Sequence, residues 1–298
     1  MLIRFGFEIT LTCQAPVPML LALSPHPDCT ARFIGSTAIR SAPEIVQTSY
    51  QDLFDNRITR IVMPEGGMTL SSDCIAEIES PLDTSALGAD QCPVEQLPSA
   101  TLLYLTASRF CESDELGAFA WQQFGHVQPG WPRVQAICDF VHDRTTFGYK
   151  FGRPTKTAHD TFREMTGVCR DFAHLLVTLC RAMNIPARYV SGYLGDIGVP
   201  ATGLGDFSGW CEVYIDNRWY TFDARHNIPR LGRILMVRGR DATDVAMITS
   251  FGAYELIGFR VWTHELTDRT ADEDFSTLLA TLPVSEALVS PSSARITI

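Results

Sequence analysis

The nine cysteines and seven histidines of this chain form no C-x-x-C pair, no H-x-x-x-H and no H-E-x-x-H. Zinc ribbons, thioredoxin-like redox chemistry and zincin-type metal centres therefore lack their ligand spacings, and no metal is expected. No apolar run approaches the roughly 18 residues of a membrane span. Positive charge is short as well, with 24 Lys and Arg against 34 Asp and Glu and a net charge of −10. Neither nucleic acid nor an anionic membrane is expected as a partner, because neither would be attracted. The N-terminus opens directly on a strand-like alternation, so no secretory signal is expected. An odd number of cysteines without pairing logic fits a reducing cytoplasm. What is present is ordinary globular material, 298 residues with 46% hydrophobic and 19% charged, enough for one large or two ordinary domains.

The pattern divides near residue 112. Ile3, Phe5, Phe7, Ile9 and Leu11 alternate with Arg4, Glu8, Thr10 and Thr12, the signature of a half-buried strand. Short apolar runs at Met19 to Leu23, Ile58 to Met63 and Ile75 to Ile78 follow, separated by turn-forming residues. This predicts an N-terminal β-sandwich-like domain over 1–111, with a loop or linker from Leu82 to Ser99. Helical patterns then take over. Leu116, Phe119, Ala120 and Phe124 form a stripe with Ser113 as N-cap and Gly125 as stop. Val134, Ile137, Cys138 and Val141 form another behind Pro132, and Thr157 caps a short helix. The period returns to two at Ala187 to Leu194, Trp210 to Ile215 and Trp219 to Phe222, so 112–266 is expected to be an α+β core of helices on a mostly antiparallel sheet. Residues 267–298 are polar and are expected at the surface or partly disordered.

One helix carries chemistry. Phe172, Leu175, Leu176, Leu179, Cys180 and Met183 recur on one apolar face, and Asn184-Ile185-Pro186 ends it. Cys169 falls in its first turn, where free backbone N–H groups and the helix dipole favour a thiolate. A buried structural cysteine is the competing reading. Downstream, Asp216-Asn217 is a tight-turn pair between alternating strands. With that turn, position 208 lies opposite 225 and diagonal to 223, on one face. A base at 208 oriented by a carboxylate at 223 would complete a nucleophile–base–orienter set with Cys169. Asp223 as a mere turn residue stays open.

Helix-opening "TGVCRDFAHLL", then "NIPARYVSGYLGD", a W-x-E-V-Y strand and "RWYTFDARHN" resemble the bacterial transglutaminase-like proteins, relatives of papain-like thiol enzymes. The motifs run from about Thr157 to His226, and the upstream β region resembles the domain commonly fused to this core. The resemblance implies Cys169 as nucleophile, Asp223 as the orienting carboxylate, and no cofactor. It departs at the base. The family's histidine stands two residues before the strand tryptophan, and here that position is Ser208. Serine cannot act as a base near neutral pH, and losing the base of a coupled triad costs orders of magnitude in rate.

Three readings follow. His226 replaces the base, folding back from three residues past Asp223. His174 is the weaker replacement, being about 140° round the helix from Cys169. Alternatively Cys169 works without a dedicated base, helped by the helix terminus and Arg170. Or the domain is a pseudoenzyme that binds a peptide or protein. Asp171 and Arg170 are expected to cap or support the helix start, Asp206 to bind a substrate amine or end a loop, and Trp210 to wall the acyl cleft or pack in the core. If active, the protein is a cysteine peptidase, amidase or acyltransferase acting on a peptide or protein amide through a Cys169 acyl-enzyme; a homo-oligomer stays open.

Overall fold

The computed structural model describes residues 1–201 and 205–266, and the backbone alone of 295–296. Seven strands come first: β1 (Leu2–Thr12), β2 (Val17–Leu21), β3 (Arg32–Ile34), β4 (Arg40–Ala42), β5 (Thr48–Gln51), β6 (Arg57–Met63) and β7 (Met68–Glu77). Helices α1 (Ser99–Leu102), α2 (Gly117–Phe124) and α3 (Trp131–Arg144) follow, then β8 (Thr146–Phe147), α4 (Ala158–Glu164), β9 (Thr166–Gly167) and α5 (Cys169–Ala182). The chain continues through β10 (Ala187–Tyr193), β11 (Phe207–Ile215), β12 (Arg218–Phe222), β13 (Ile234–Gly239), β14 (Ile248–Ser250), β15 (Glu255–Glu265) and β16 (Arg295–Ile296). The architecture is α+β, a β-sandwich-like region followed by helices on an antiparallel sheet, as the element pattern predicts.

Two five-stranded sheets, β15-β1-β7-β3 with β4 alongside and β16-β14-β2-β6-β5, meet at one core built from side chains of β1, β2, β6, β7, β14 and β15. The alternation of β1 is realised, since Ile3, Phe5, Phe7, Ile9 and Leu11 are all buried. Its second face is buried at Arg4 and Gly6 and only partly at Glu8, Thr10 and Thr12. Arg4 pairs with Asp73 at 2.8 Å, and the Trp262 indole N–H donates to the same carboxylate at 3.0 Å. Strands β14 and β15, from the 112–266 segment, hydrogen-bond to β2 and β1. The expected tail, 267–298, lies outside the described residues apart from β16, whose backbone pairs with β14.

The second core packs the apolar stripes of α2, α3 and α5 against the sheet β12-β11-β10-β13. The α5 stripe is buried from Phe172 to Met183. Helix α2 begins at Gly117 rather than after Ser113, because a turn closed by Glu115 N–H to Glu112 O precedes it. Gly125 stands at its C-cap as expected. No helix among the described residues is long and apolar enough to cross a membrane.

Gly6 of β1 lies opposite Trp262 of β15. A Cβ there would sit 2.2 Å from the Ser72 carbonyl oxygen and 2.5 Å from the indole ring. Gly6→Ala is expected to cost about 3 kcal/mol, the upper part of the range for overpacking. A urea unfolding midpoint unchanged from the parent protein would contradict this packing.

Candidate active site

Two short strands bring the chemistry together. Parallel pairing of β8 and β9 fixes Thr146 beside Thr166 and Phe147 beside Gly167. Helix α4 between them is closed by a reciprocal cap, with the Asp160 N–H on Thr157 Oγ1 at 3.1 Å and the Thr157 N–H on Asp160 Oδ2 at 3.2 Å. Met165 then turns left-handed at φ 55° and ends it. Gly167 crosses so close to Asp171 that a Cβ would lie 2.7 Å from the aspartate Cβ, so only glycine lets the chain enter α5 here.

Cys169 is the first residue of α5, as the sequence predicts. Its neighbours Arg170 and Asp171 are a buried pair rather than a solvated one. Arg170 donates to Asp171 Oδ1 at 2.9 Å and to the Arg153 carbonyl at 2.7 Å, while Asp171 Oδ2 accepts the Val168 N–H at 3.0 Å. The pair caps the helix, and Arg170 is committed to it. Arg225 is the cation that acts on the thiol.

The β11–β12 hairpin supplies the carboxylate. Asp216 and Asn217 both take positive φ, 47° and 59°, and the register Ile215↔Arg218 through Cys211↔Phe222 is the expected one. At its end Asp223 is buried and accepts four hydrogen bonds. They come from the Arg225 N–H at 3.1 Å, the His226 N–H at 3.3 Å, His226 Nδ1 at 2.9 Å and Arg233 Nη2 at 2.9 Å. Burial alone would push this carboxyl up. The Arg233 charge and the His226 hydrogen bond outweigh burial and hold it well below the usual carboxylate range. A turn role and an orienting role coincide in one side chain. The Nδ1 nitrogen of His226 is the one turned to Asp223, which leaves Nε2 as the ring's other hydrogen-bonding nitrogen.

A cavity of about 430 Å³ opens beside these groups. Tyr149, Asp206, Ser208, Arg225 and His226 line one side, and Val261 to Glu265 of β15 line another. Cys169 is 3% exposed and is not among the lining residues, but two of them, Arg225 and Asp206, act electrostatically on its sulfur. The Gly209 N–H points at its sulfur, Arg225 favours its anion, and Asp206 opposes it. Burial outweighs the favourable terms and pushes the thiol up to about 11. Burial thus opposes the thiolate that the helix terminus favours. Asp206 is pushed up to about 7 by burial, against the pull of the Phe207 N–H, the Tyr149 hydroxyl and Arg225. Tyr149 is raised in turn, first by burial and then by Asp206.

The other expected residues separate. Ser208 lines the cavity with a buried hydroxyl that has no hydrogen-bond partner among the described residues. Trp210 packs with Val190 and Leu235, under the Arg233 guanidinium at 4.8 Å from its ring centroid, and is no part of that cavity lining. His174 is fully buried, accepts the Ala242 N–H at 3.1 Å, stacks on Phe110, and is held below the usual imidazole range by burial. Tyr149 carried no motif signal in the sequence. Arg225 did, since the hairpin register places it opposite position 208.

Residues 118–224 match the model of the transglutaminase-like superfamily. The chain superposes over 92% of its length on 92% of a candidate cysteine protease from Cytophaga hutchinsonii, with a TM-score of 0.81 and 27% identity. An uncharacterized protein of Mycobacterium leprae (strain TN) is 38% identical over 91 residues, 29% of this chain and 32% of that protein. An uncharacterized protein of Mycobacterium tuberculosis (strain ATCC 25618 / H37Rv) is 28% identical over 208 residues, 62% of this chain and 65% of that protein. The chain thus spans about a third of the first curated relative and 65% of the second. Cys169, Ser208 and Asp223 fall inside the matched segment, and His226 lies two residues beyond it.

Asp223→Ala leaves Arg233 and His226 without their shared partner and is expected to cost about 3–5 kcal/mol at pH 7. The folded state holds Asp223 below its unfolded value of about 4. Its contribution is therefore present above that pH and lost as pH falls below it. Urea titrations from pH 7 to pH 3 should show the gap to the parent protein shrinking, and a gap constant throughout would contradict the assignment.

Proposed function

We propose that this chain, which carries a transglutaminase-like domain, is a thiol enzyme that acylates Cys169 from a peptide or protein amide and passes the acyl group to water or an amine. The observation that carries this is the 2.9 Å hydrogen bond from His226 Nδ1 to Asp223 Oδ2. It reproduces an oriented imidazole on the carboxylate that the family resemblance marks, although Ser208 stands where the family's histidine would.

The buried thiol makes the base necessary. A thiol pushed up to about 11 is protonated at neutral pH, so its proton must leave as the sulfur attacks. In this reading His226 Nε2 takes that proton, and Asp223 holds the ring and stabilises the resulting imidazolium. Backbone N–H groups at the start of α5 face the developing oxyanion. No metal or organic cofactor is needed for these steps. Nine free cysteines support a reducing compartment such as the cytoplasm.

The low exposure of Cys169 favours one competing reading, a binding module that has retired its nucleophile. p-Nitrophenyl acetate separates the two. A burst of nitrophenolate with acetylation at Cys169, located by peptide mass spectrometry, is expected. His226→Ala should slow that burst by roughly 10²–10⁴-fold, the usual range for a general base. Acetylation spread over other cysteines, or a burst unchanged in His226→Ala, would count against the catalytic assignment.

A further inference from the structure

Among the described residues, Asp206 is the one cavity carboxyl with a buried oxygen, Oδ1, that has no hydrogen-bond partner. A buried acceptor left unpaired costs stability, so folding alone does not account for it. The carboxyl borders the cavity, meets the Tyr149 hydroxyl, and acts directly on the Cys169 sulfur. Tyr149, Cys169 and Arg225 are the titratable and charged groups against it, while Asp196, His226, His264 and Glu265 stand further round the cavity wall.

We propose that Asp206 is a second acid–base residue of the site, giving a proton to the leaving nitrogen during acylation and taking one from the acyl acceptor during deacylation. The proposal rests on the reading of Cys169 as nucleophile. In acylation the sulfur–carbonyl carbon bond forms and the carbon–nitrogen bond breaks. His226 holds the thiol proton, and the neutral Asp206 carboxyl protonates the departing amine. In deacylation the acceptor oxygen or nitrogen bonds to the carbonyl carbon and the carbon–sulfur bond breaks. The acceptor's proton passes to Asp206, and the proton on His226 returns to the sulfur, so both groups end as they began.

The charges favour this division of labour. An ionised Asp206 opposes the Cys169 thiolate, whereas a neutral one does not. Burial pushes Asp206 up to about 7, so both forms are populated near neutral pH, as an acid–base group requires. The Tyr149 hydroxyl fixes one side of the carboxyl and leaves Oδ1 for the substrate nitrogen or the acceptor.

p-Nitrophenyl acetate isolates the second half of the cycle, because nitrophenolate departs without a proton. Asp206→Asn should keep a burst but deacylate roughly 100-fold more slowly, so that acetyl-Cys169 accumulates. In the parent protein deacylation should rise with pH through about 7, and this rise should vanish in Asp206→Asn. Formate should restore turnover to Asp206→Ala by entering the vacated space. Deacylation of Asp206→Asn at the parent rate, a pH rise that survives the substitution, or loss of the burst together with turnover would each overturn the proposal. If neither variant folds, the parent pH profile decides, and a flat profile overturns it. Absence of acetyl-Cys169 in the parent protein would instead overturn the thiol-enzyme reading, and this proposal with it.

Discussion

The buried ion pair between Asp223 and Arg233 is the constraint on which the site depends. A carboxylate stripped of water is tolerable only with full pairing, and Asp223 gathers its partners from three directions. Arg233 reaches it from the segment leading to β13 and also holds Asp83 through both carboxylate oxygens at 2.9 Å. Its guanidinium lies over Trp210. The end of β12, the chain entering β13 and the long segment after β7 are thereby tied at one point. The remaining lone pairs of Asp223 take the Arg225 and His226 N–H groups and the His226 ring. The turn after β12 is bent into the orientation that presents an imidazole, so one charge arrangement both closes the fold and aims the candidate base.

A second consequence concerns the nucleophile. A helix N-terminus is often sufficient to acidify an exposed cysteine. Here the sulfur is 3% exposed, and burial wins over the dipole, Arg225 and the Gly209 N–H. Burial thus favours the protonated thiol. In the proposed mechanism the thiol proton leaves as the carbon–sulfur bond forms, a task given to the imidazole and carboxyl groups facing the cavity. Under the proposed reading His226 takes the part of the base beside Asp223, and Ser208 stands where the resemblance places a histidine.

Much of this was legible in the residues. The period-two runs of β1 and β10 to β12, the apolar stripe of α5, the Thr157 cap and the Asp216-Asn217 turn are all local signals, and each element formed where its own side chains demanded. The Asp223–His226 partnership could be anticipated, because three residues of separation bring the two groups within reach. What could not be read was anything set by tertiary closure. The groups that act on the Cys169 thiol besides burial, Asp206, Gly209 and Arg225, are all distant in sequence. Tyr149 reaches the site only because β8 pairs with β9. Arg170 was available to the thiol on spacing alone, but Asp171 and the Arg153 carbonyl claim it. The return of β14 and β15 to the N-terminal sheets likewise follows from a core that no local pattern reveals.

The central claim is that Asp223 serves Cys169 through His226. A double-mutant cycle with Asp223→Asn and His226→Ala, read as the rate of Cys169 acetylation by p-nitrophenyl acetate, tests it most directly. Groups that act as one unit are strongly non-additive. Asp223→Asn should slow acetylation at least about 10-fold in the parent protein and have little further effect once His226 is alanine. Equal losses in the two backgrounds would contradict it, showing that Asp223 supports the fold while His226 stands apart from the chemistry.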